Sequence, residues 1–441
     1  MKRIHLLIIM LLVVLGFAGY NLIRNVSENM GKTAIKTNTM SSYIDDIENN
    51  NYTLAVVVDL DGNGIETTPL ENVENIYFDY NGDRFKEHTV WVNSDDAFLV
   101  MDVNNDGIID KGEELFGSNM SFEDKNNPFY SLLKLDENGD NKISEKDSVF
   151  QKIFIWQDIN QNAVFDNDEK LVSLAELDVE AVSLDYTENG FDFERVGAIT
   201  LNKNNGENIQ AEAVMLKIDG LHTQAMDILE ETPEIANMPN VQGHGKIYTL
   251  HQAMLRNDSL KNLVIQFGME KNKEARKEIF DNIIFEWTGV ADKPVNDRGQ
   301  YMDDGRKLYA MEMLFNNKYK TTDNNGNPTE IPNKEQAATL MQIYDDTIIG
   351  FYKDLLMQTH FVEVGDSIGL DGSDLTHTAE LVYNKVQEID EPDFIPYFTE
   401  ALIAYNEYCP DEYDVDLDSF VDYFEENCPE YAEAIKKVLK Q

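Results

Sequence analysis

Only two of the 441 residues are cysteine, Cys409 and Cys428. That excludes a cysteine-rich scaffold and any four-thiolate zinc site. Each precedes a proline and 18 residues lie between them. In an oxidising compartment the pair closes a loop worth roughly 3 kcal/mol; otherwise the two stand as separate thiols. Positive charge is also scarce. Against 82 Asp and Glu stand 36 Lys and Arg, a net charge of −46 and a sequence pI near 4.3. Such a chain repels phosphate backbones, so no nucleic-acid partner is expected. An acidic membrane surface repels it equally. So many carboxylates on one folded chain repel each other unless something screens or binds them, and cations are the obvious candidate.

Catalytic patterns are thin. His244, His251, His360 and His377 show neither metalloprotease spacing nor a flanking nucleophile motif. Acidic pairs are too abundant for a glycosidase-type dyad to be picked out. The chain reads as a binding protein rather than an enzyme.

What is present begins with a strong N-terminal signal. Lys2 and Arg3 precede an apolar run over 4–20, continued to Ile23 and followed by Arg24. A basic head on an apolar stretch of about 20 residues is the pattern of a signal anchor or a cleaved signal peptide. Residues 1–24 are assigned to it, which places the remainder outside the cytoplasm, membrane-anchored through this segment alone or secreted. Residues 25–50, rich in Asn, Ser and Thr, read as a linker. From 51 to 230 short β-type runs alternate with Asp/Asn/Gly clusters: 54–60, 76–80, 89–92, 98–101, 153–156, 179–186, 191–201 and 209–218. Short helical stretches at 113–116 and 129–135 interrupt them. From 231 to 441 the apolar spacing turns helical, over 249–267, 274–287, 305–315, 335–359, 375–389, 394–408 and 417–439. The expected fold class is α+β: a β-rich N-terminal module carrying EF-hand-like loops, then a mostly α-helical domain. At 42% hydrophobic residues, global disorder is excluded.

The clusters carry the chemistry. A 12-residue calcium loop offers oxygens from positions 1, 3, 5, 7, 9 and 12, the seventh through its backbone carbonyl, and needs positive φ at position 6. Asp102, Asn104, Asp106, Ile108, Asp110 and Glu113 meet all six, with Gly107 at the turn and Ile109 as the apolar eighth residue. A second set is Asp136, Asn138, Asp140, Lys142, Ser144 and Asp147, with Asn141 at the turn. A third is Asp158, Asn160, Asn162, Val164, Asp166 and Glu169, where Ala163 at the turn implies strain or a variant loop. Asp59, Asp61 and Asn63 begin a fourth, whose twelfth position is Leu70. Asp79, Asn81 and Asp83 begin another, with Arg84 at the turn. These last two bind calcium only with ligands from elsewhere, and otherwise are Asx turns. Near the C-terminus, the run from Asp414 to Glu425 has ligand spacing, but Asp416 or Asp418 there reads as a helix cap. About three calcium sites are expected, with a fourth at Asp59.

The stretch 53–67 (TLAVVVDLDGNGIET) resembles the opening of the calcium-binding module of large haemolysin-type (RTX) proteins. The likeness continues through WVNSDDAFLVMD (91–102), NDGIIDKGEELFG (105–117), IWQDIN (155–160) and LAEL (174–177). GHG (243–245), LHQAM (250–254), WTG (287–289) and DGR (304–306) resemble the segment that often follows it. The glycine-rich nonapeptide array of those proteins is absent. In some relatives the module cleaves its own chain at an Asp-Pro bond before the first loop; here that stretch is Asn50-Asn51-Tyr52-Thr53, and none of the 11 prolines follows an aspartate. The resemblance implies a calcium-stabilised extracytoplasmic module; the helical half, from its position and its lack of catalytic motifs, is expected to serve as a partner-binding or effector domain, its protein partner not identifiable from sequence. The alternative is a secreted or surface enzyme or toxin in which calcium is only structural.

Overall fold

The computed structural model describes residues 52–69, 76–117, 127–187, 195–323, 325–368, 374–408 and 416–439. The N-terminal apolar segment, the linker, Cys409 and the first residues of the C-terminal Asp run lie outside them. The chain divides into two compact units, one running to Ile228 and including Phe315–Lys318, the other made of Leu229–Leu314 and Tyr319 onward.

The first unit is built on β1 (Tyr52–Val58), whose sequence is apolar almost without interruption. Successive strand residues face opposite sides, so an unbroken run means burial on both. Leu54, Val56 and Val58 enter one core with Phe129, Leu132, Ile143 and Phe150. Ala55 and Val57 enter another with Phe78, Trp91, Phe98 and Trp156. The remaining strands are β2 (Thr67–Thr68), β3 (Tyr77–Phe78), β4 (Phe85–Thr89), β5 (Trp91–Val92), β6 (Ala97–Val100), β7 (Lys142–Ser144), β8 (Phe154–Trp156), β9 (Leu171–Ser173), β10 (Val179–Thr187), β11 (Arg195–Lys203) and β12 (Asn208–Ala225). Among the described residues ten of them form one sheet in the order β7-β10-β11-β12-β1-β6-β8-β9, with β4 added to β12 and β3 to β4. Every pairing is antiparallel. The first half of β12 pairs with β1 and β11, and its second half pairs with β4. Strand β12 is thus longer than the expected 209–218. Strands β4, β7 and β9 are not among the expected runs over 85–88, 142–144 and 171–173, because β4 is mostly polar and β7 and β9, at three residues each, are too short to carry a period-2 signal. The helical turn expected at 113–116 is a 3-10 turn, Gly112–Glu114, and that at 129–135 is α1 (Tyr130–Leu133).

The second unit is helical: α2 (Leu250–Met254), α3 (Asp258–Met269), α4 (Lys273–Trp287), α5 (Gly305–Leu314), α6 (Lys334–Thr359), α7 (Val362–Ser367), α8 (Thr376–Ile389), α9 (Phe394–Tyr408), α10 (Leu417–Asn427) and α11 (Pro429–Val438). The expected helix 249–267 is broken because Asn257 restarts it, its side chain accepting from the Leu260 N–H. The expected helix 417–439 is broken at Cys428-Pro429, since proline is accommodated only in a first helical turn. Asp416 caps α10 by accepting from the Ser419 N–H at 3.2 Å. Arg276 of α4 is fully buried, and all of its donors are used. They go to Tyr352 Oη, the carbonyls of Glu270, Lys271 and Ile389, and the Glu391 carboxylate. Among the described residues no helix is long and apolar enough to cross a membrane.

Candidate metal centre

Five Asp/Asn loops hang on the sheet, and the same local chemistry shapes each. In every one the first aspartate folds the chain around its own carboxylate. Asp102 accepts from the N–H groups of Asp106 and Gly107, at 3.2 and 2.9 Å. Asp136 accepts from Gly139 and Asn141, both at 2.8 Å. Asp158 accepts from Asn162 and Ala163, at 3.3 and 2.7 Å. Asp59 accepts from Gly62 and Gly64, and Asp79 from Gly82, Asp83 and Arg84. The sixth residue has positive φ in all five: Gly64 at 100°, Arg84 at 75°, Gly107 at 83°, Asn141 at 64° and Ala163 at 57°. Ala163 therefore takes the same turn as glycine does, and carries its strain rather than forcing a different loop.

The loops are closed by a second carboxylate. In the loop from Asp136, Asp147 accepts from the Glu137 and Ser144 N–H groups, both at 3.0 Å. In the loop from Asp158, Glu169 accepts from Ile159 and Asp166, at 3.0 and 3.3 Å. These are the second and ninth positions in both cases. In the loop from Asp102 the ninth-position N–H, that of Asp110, goes at 3.0 Å to Glu114 and not to Glu113. Glu113 lies outward, paired with Lys111 at 2.6 Å. The 3-10 turn directs Glu114 inward beside buried Leu115 and Phe116, so the closing residue is one place later than ligand spacing indicates. Glu114 Oε1 is buried with no hydrogen-bond partner, and Glu114, Asp102 and Asp106 each bring an oxygen within 4.8 Å of the others. An ion with ligand bonds of about 2.4 Å fits among donors so spaced.

The incomplete loop from Asp59 is closed from another strand. Asp96, buried just before β6, accepts from the Glu66 N–H at 3.0 Å through Oδ2, while its Oδ1 is buried without a hydrogen-bond partner. It groups with Asp59 and Asp61 within 4.8 Å. The seventh-position carbonyl, Ile65, accepts from Arg195 Nη2 at 2.6 Å. Asn63 donates to Asp61 at 2.8 Å. In the loop from Asp79 the closing group is Glu87 of β4, which accepts from the Tyr80 N–H and from Asn81 Nδ2, at 3.2 and 2.6 Å. Asp96 is not recognisable from spacing because it lies outside the loop, just before β6, and Glu87 closes its loop from the ninth position where spacing indicates the twelfth.

The remaining expected ligands lie as follows. Asn104 and Asp106 are joined at 2.8 Å, while Asn160 and Asn162 both donate to Asp166, at 2.7 and 2.8 Å. Asp140 is held by Lys146 at 3.0 Å. Ile108 and Val164 are exposed, and Lys142 and Ser144 lie in β7. The apolar eighth residues Ile109 and Ile143 are buried, anchoring their loops to the two cores.

Burial dominates the electrostatics. It pushes Glu114 up to about 7, with Asp110 and Asp106 adding repulsion. It pushes Asp96 up to about 6, aided by Asp59, Asp95 and Glu66, and Glu87 up to about 8, aided by Asp83 and Asp79. Carboxylates that resist ionisation because they are buried among other carboxylates regain their charge when a cation joins them. The donors are all hard oxygens, which suits Ca2+ or Mg2+ and not a soft ion. The histidines singled out by sequence lie elsewhere. His251 is buried and bonded to Glu231 and to the Met238 carbonyl, and His244 packs on Phe351. Both read as structural.

In comparison with known proteins, residues 56–229 match the family model described as the SPM domain, a stretch containing all five loops. The chain is 34% identical over 241 residues to the iron-regulated protein FrpA of Neisseria meningitidis serogroup C, which covers 53% of this chain and 21% of the relative. The match thus spans about a fifth of that relative's length.

Proposed function

We propose that this chain is an extracytoplasmic calcium-binding protein related to the haemolysin-type (RTX) proteins. In this reading its N-terminal unit is stabilised by Ca2+ and its helical unit presents a surface to a protein partner. The basic-headed apolar N-terminus supports a location outside the cytoplasm, membrane-tethered or secreted.

One observation carries the calcium reading: Glu114 and Asp96 each accept from a backbone N–H through one oxygen, keep the other buried without a hydrogen-bond partner, and each group with two loop aspartates within 4.8 Å. Leaving a buried carboxylate oxygen unpaired is costly, and a cation among those aspartates removes the cost. Calcium then binds the Asp102 loop through Asp102, Asn104, Asp106, the Ile108 carbonyl, Asp110 and Glu114. Asp147 and Glu169 complete two further sites, and Asp96 completes that of Asp59 and Asp61. Because the ion binds the ordered loop and not the unfolded chain, binding free energy adds to folding stability.

The test is calorimetric titration of the full chain with CaCl2 beside Glu114→Gln, Glu113→Gln and Asp96→Asn. Glu114→Gln and Asp96→Asn each weaken one site by about tenfold or more, at least ~1.4 kcal/mol, while Glu113→Gln leaves binding intact. No heat at millimolar calcium, with an unchanged melting temperature, overturns the reading.

A further inference from the structure

On the face of β4 opposite Glu87, three further donors converge that belong to none of the loops. Strand alternation sends consecutive residues to opposite sides, so Glu87 closes the Asp79 loop and His88 points away from it. Across the ladder His88 lies directly opposite Asp219 of β12, and opposite Tyr77 of β3 on its other side. Facing residues of an antiparallel pair share a side of the sheet. Tyr77 packs on the His88 ring with centroids 5.2 Å apart.

Strand β12 then departs from regular pairing. Asp219 faces His88, yet the next paired residue, Thr223, faces Glu87, so Gly220, Leu221 and His222 bulge out of the ladder between them. The bulge is held by Asp219 itself, whose Oδ1 accepts from the Leu221 and His222 N–H groups, at 3.1 and 3.4 Å. Bulges re-aim side chains, and this one folds His222 back over its own strand. His222 Nδ1 comes to 3.1 Å from Asp219 Oδ2, and its ring meets that of His88 edge to face, with centroids 5.9 Å apart. One nitrogen of each imidazole and one Asp219 oxygen all lie within 4.8 Å of one another, and all three residues are half-buried.

We infer that His88, Asp219 and His222 form a binding site for a divalent transition-metal ion of the zinc class. Two imidazoles and one carboxylate are the donor set that borderline divalent ions take, and calcium, which takes oxygens only, does not. Zinc bonds to nitrogen and oxygen of about 2.0–2.1 Å set neighbouring donors roughly 3.4 Å apart. The 3.1 Å approach of His222 to Asp219 is close to that edge. The backbone N–H groups on Asp219 Oδ1 fix the carboxylate from behind, as the outer shell of a metal site does. Among the described residues the donors are three, and an ion so held takes a further ligand to complete its coordination.

The test uses the full chain with calcium at saturation, so that the oxygen loops are filled before zinc is added. Equilibrium dialysis against ZnCl2 should give one zinc per chain. His88→Ala, His222→Ala and Asp219→Asn should each weaken binding by at least about tenfold. His377→Ala, an exposed histidine of α8, should leave it unchanged. As a readout that needs no variant, Co2+ added to the calcium-saturated unaltered chain should show the visible absorption of a nitrogen-ligated ion of low coordination number. Zinc binding that survives both histidine variants, that calcium displaces, or that is accompanied by no such cobalt spectrum overturns the assignment. Should the variants misfold by circular dichroism, the cobalt spectrum alone decides.

Discussion

Trp91 donates its indole N–H to the Asp158 carboxylate at 2.8 Å, although 67 residues separate them. Trp156 does the same to Glu169 at 2.8 Å. The first and last carboxylates of one loop are therefore each wired to an indole of the same core, where the two rings lie 5.8 Å apart. A cation drawing on those carboxylates alters the field at both rings.

Tryptophan emission is accordingly expected to change on calcium addition. Trp287→Phe, which alters the third tryptophan and lies in the helical unit, should retain the change in full. Asp158→Asn should remove most of it. A fluorescence titration checks this, and an emission spectrum indifferent to millimolar calcium would falsify the coupling.

Ala163 and Arg84 hold the left-handed turn that glycine adopts without strain. A left-handed non-glycine residue costs about 1–2 kcal/mol, part of which is offset by the greater unfolded-state freedom of glycine. Ala163→Gly and Arg84→Gly should each stabilise the N-terminal unit by up to about 1 kcal/mol, with Arg84→Gly the larger gain because Ala163 also gives up buried packing. Chemical denaturation in excess chelator measures this apart from any change in ion affinity.

In the helical unit Arg276 and Glu391 form a buried pair, with Tyr352 donating to the same carboxylate at 2.5 Å. Arg276→Met leaves Glu391 and three carbonyls without that donor. Breaking such a pair costs about 3–5 kcal/mol, so the melting transition of this unit should fall sharply. A transition unchanged within error means the pair contributes nothing net.

Asp354 accepts from Tyr397 Oη at 2.6 Å, and burial raises it from the usual 3.8 to about 6. Its folded-state value lies above the unfolded one, so the folded state binds the extra proton. Stability from this group is present below pH of about 4 and is lost as pH rises through about 6. Asp354→Asn, which keeps an acceptor for Tyr397, should melt progressively higher than the unaltered chain as pH goes from 4 to 7. A constant difference across that range excludes the linkage.

How far the sequence reaches is seen loop by loop. The first six positions of each loop are legible because ligand type and turn are local: Asp102 needs only the N–H groups four and five residues on, and Gly107 only its own φ. The unbroken apolar run of β1 announces a strand buried on both faces. Legibility ends where the partner is set by packing. Strand β4 reads as a polar segment, yet pairing with β3 brings Glu87 onto the Asp79 loop, and pairing with β12 brings His88 beside Asp219 and the bulged His222.

By itself, then, the sequence determined an acidic chain with recurrent Asp/Asn/Gly turns on a β-rich half followed by a helical half, because residue type and short-range periodicity are properties of the chain alone. Spacing already placed Asp147 and Glu169 at the twelfth position where they close their loops, but only the tertiary structure decided which carboxylate seals the other three turns. Glu114 supersedes Glu113 because the 3-10 turn carries Glu114 inward to the Asp110 N–H and leaves Glu113 outward beside Lys111. Asp96 reaches the Asp59 loop because β6 lies beside β1. His88 meets Asp219 and His222 because antiparallel register and a bulge bring together residues more than a hundred positions apart. Spacing along a chain carries no information about register between strands, and Asp96 and the His88 cluster are placed by register.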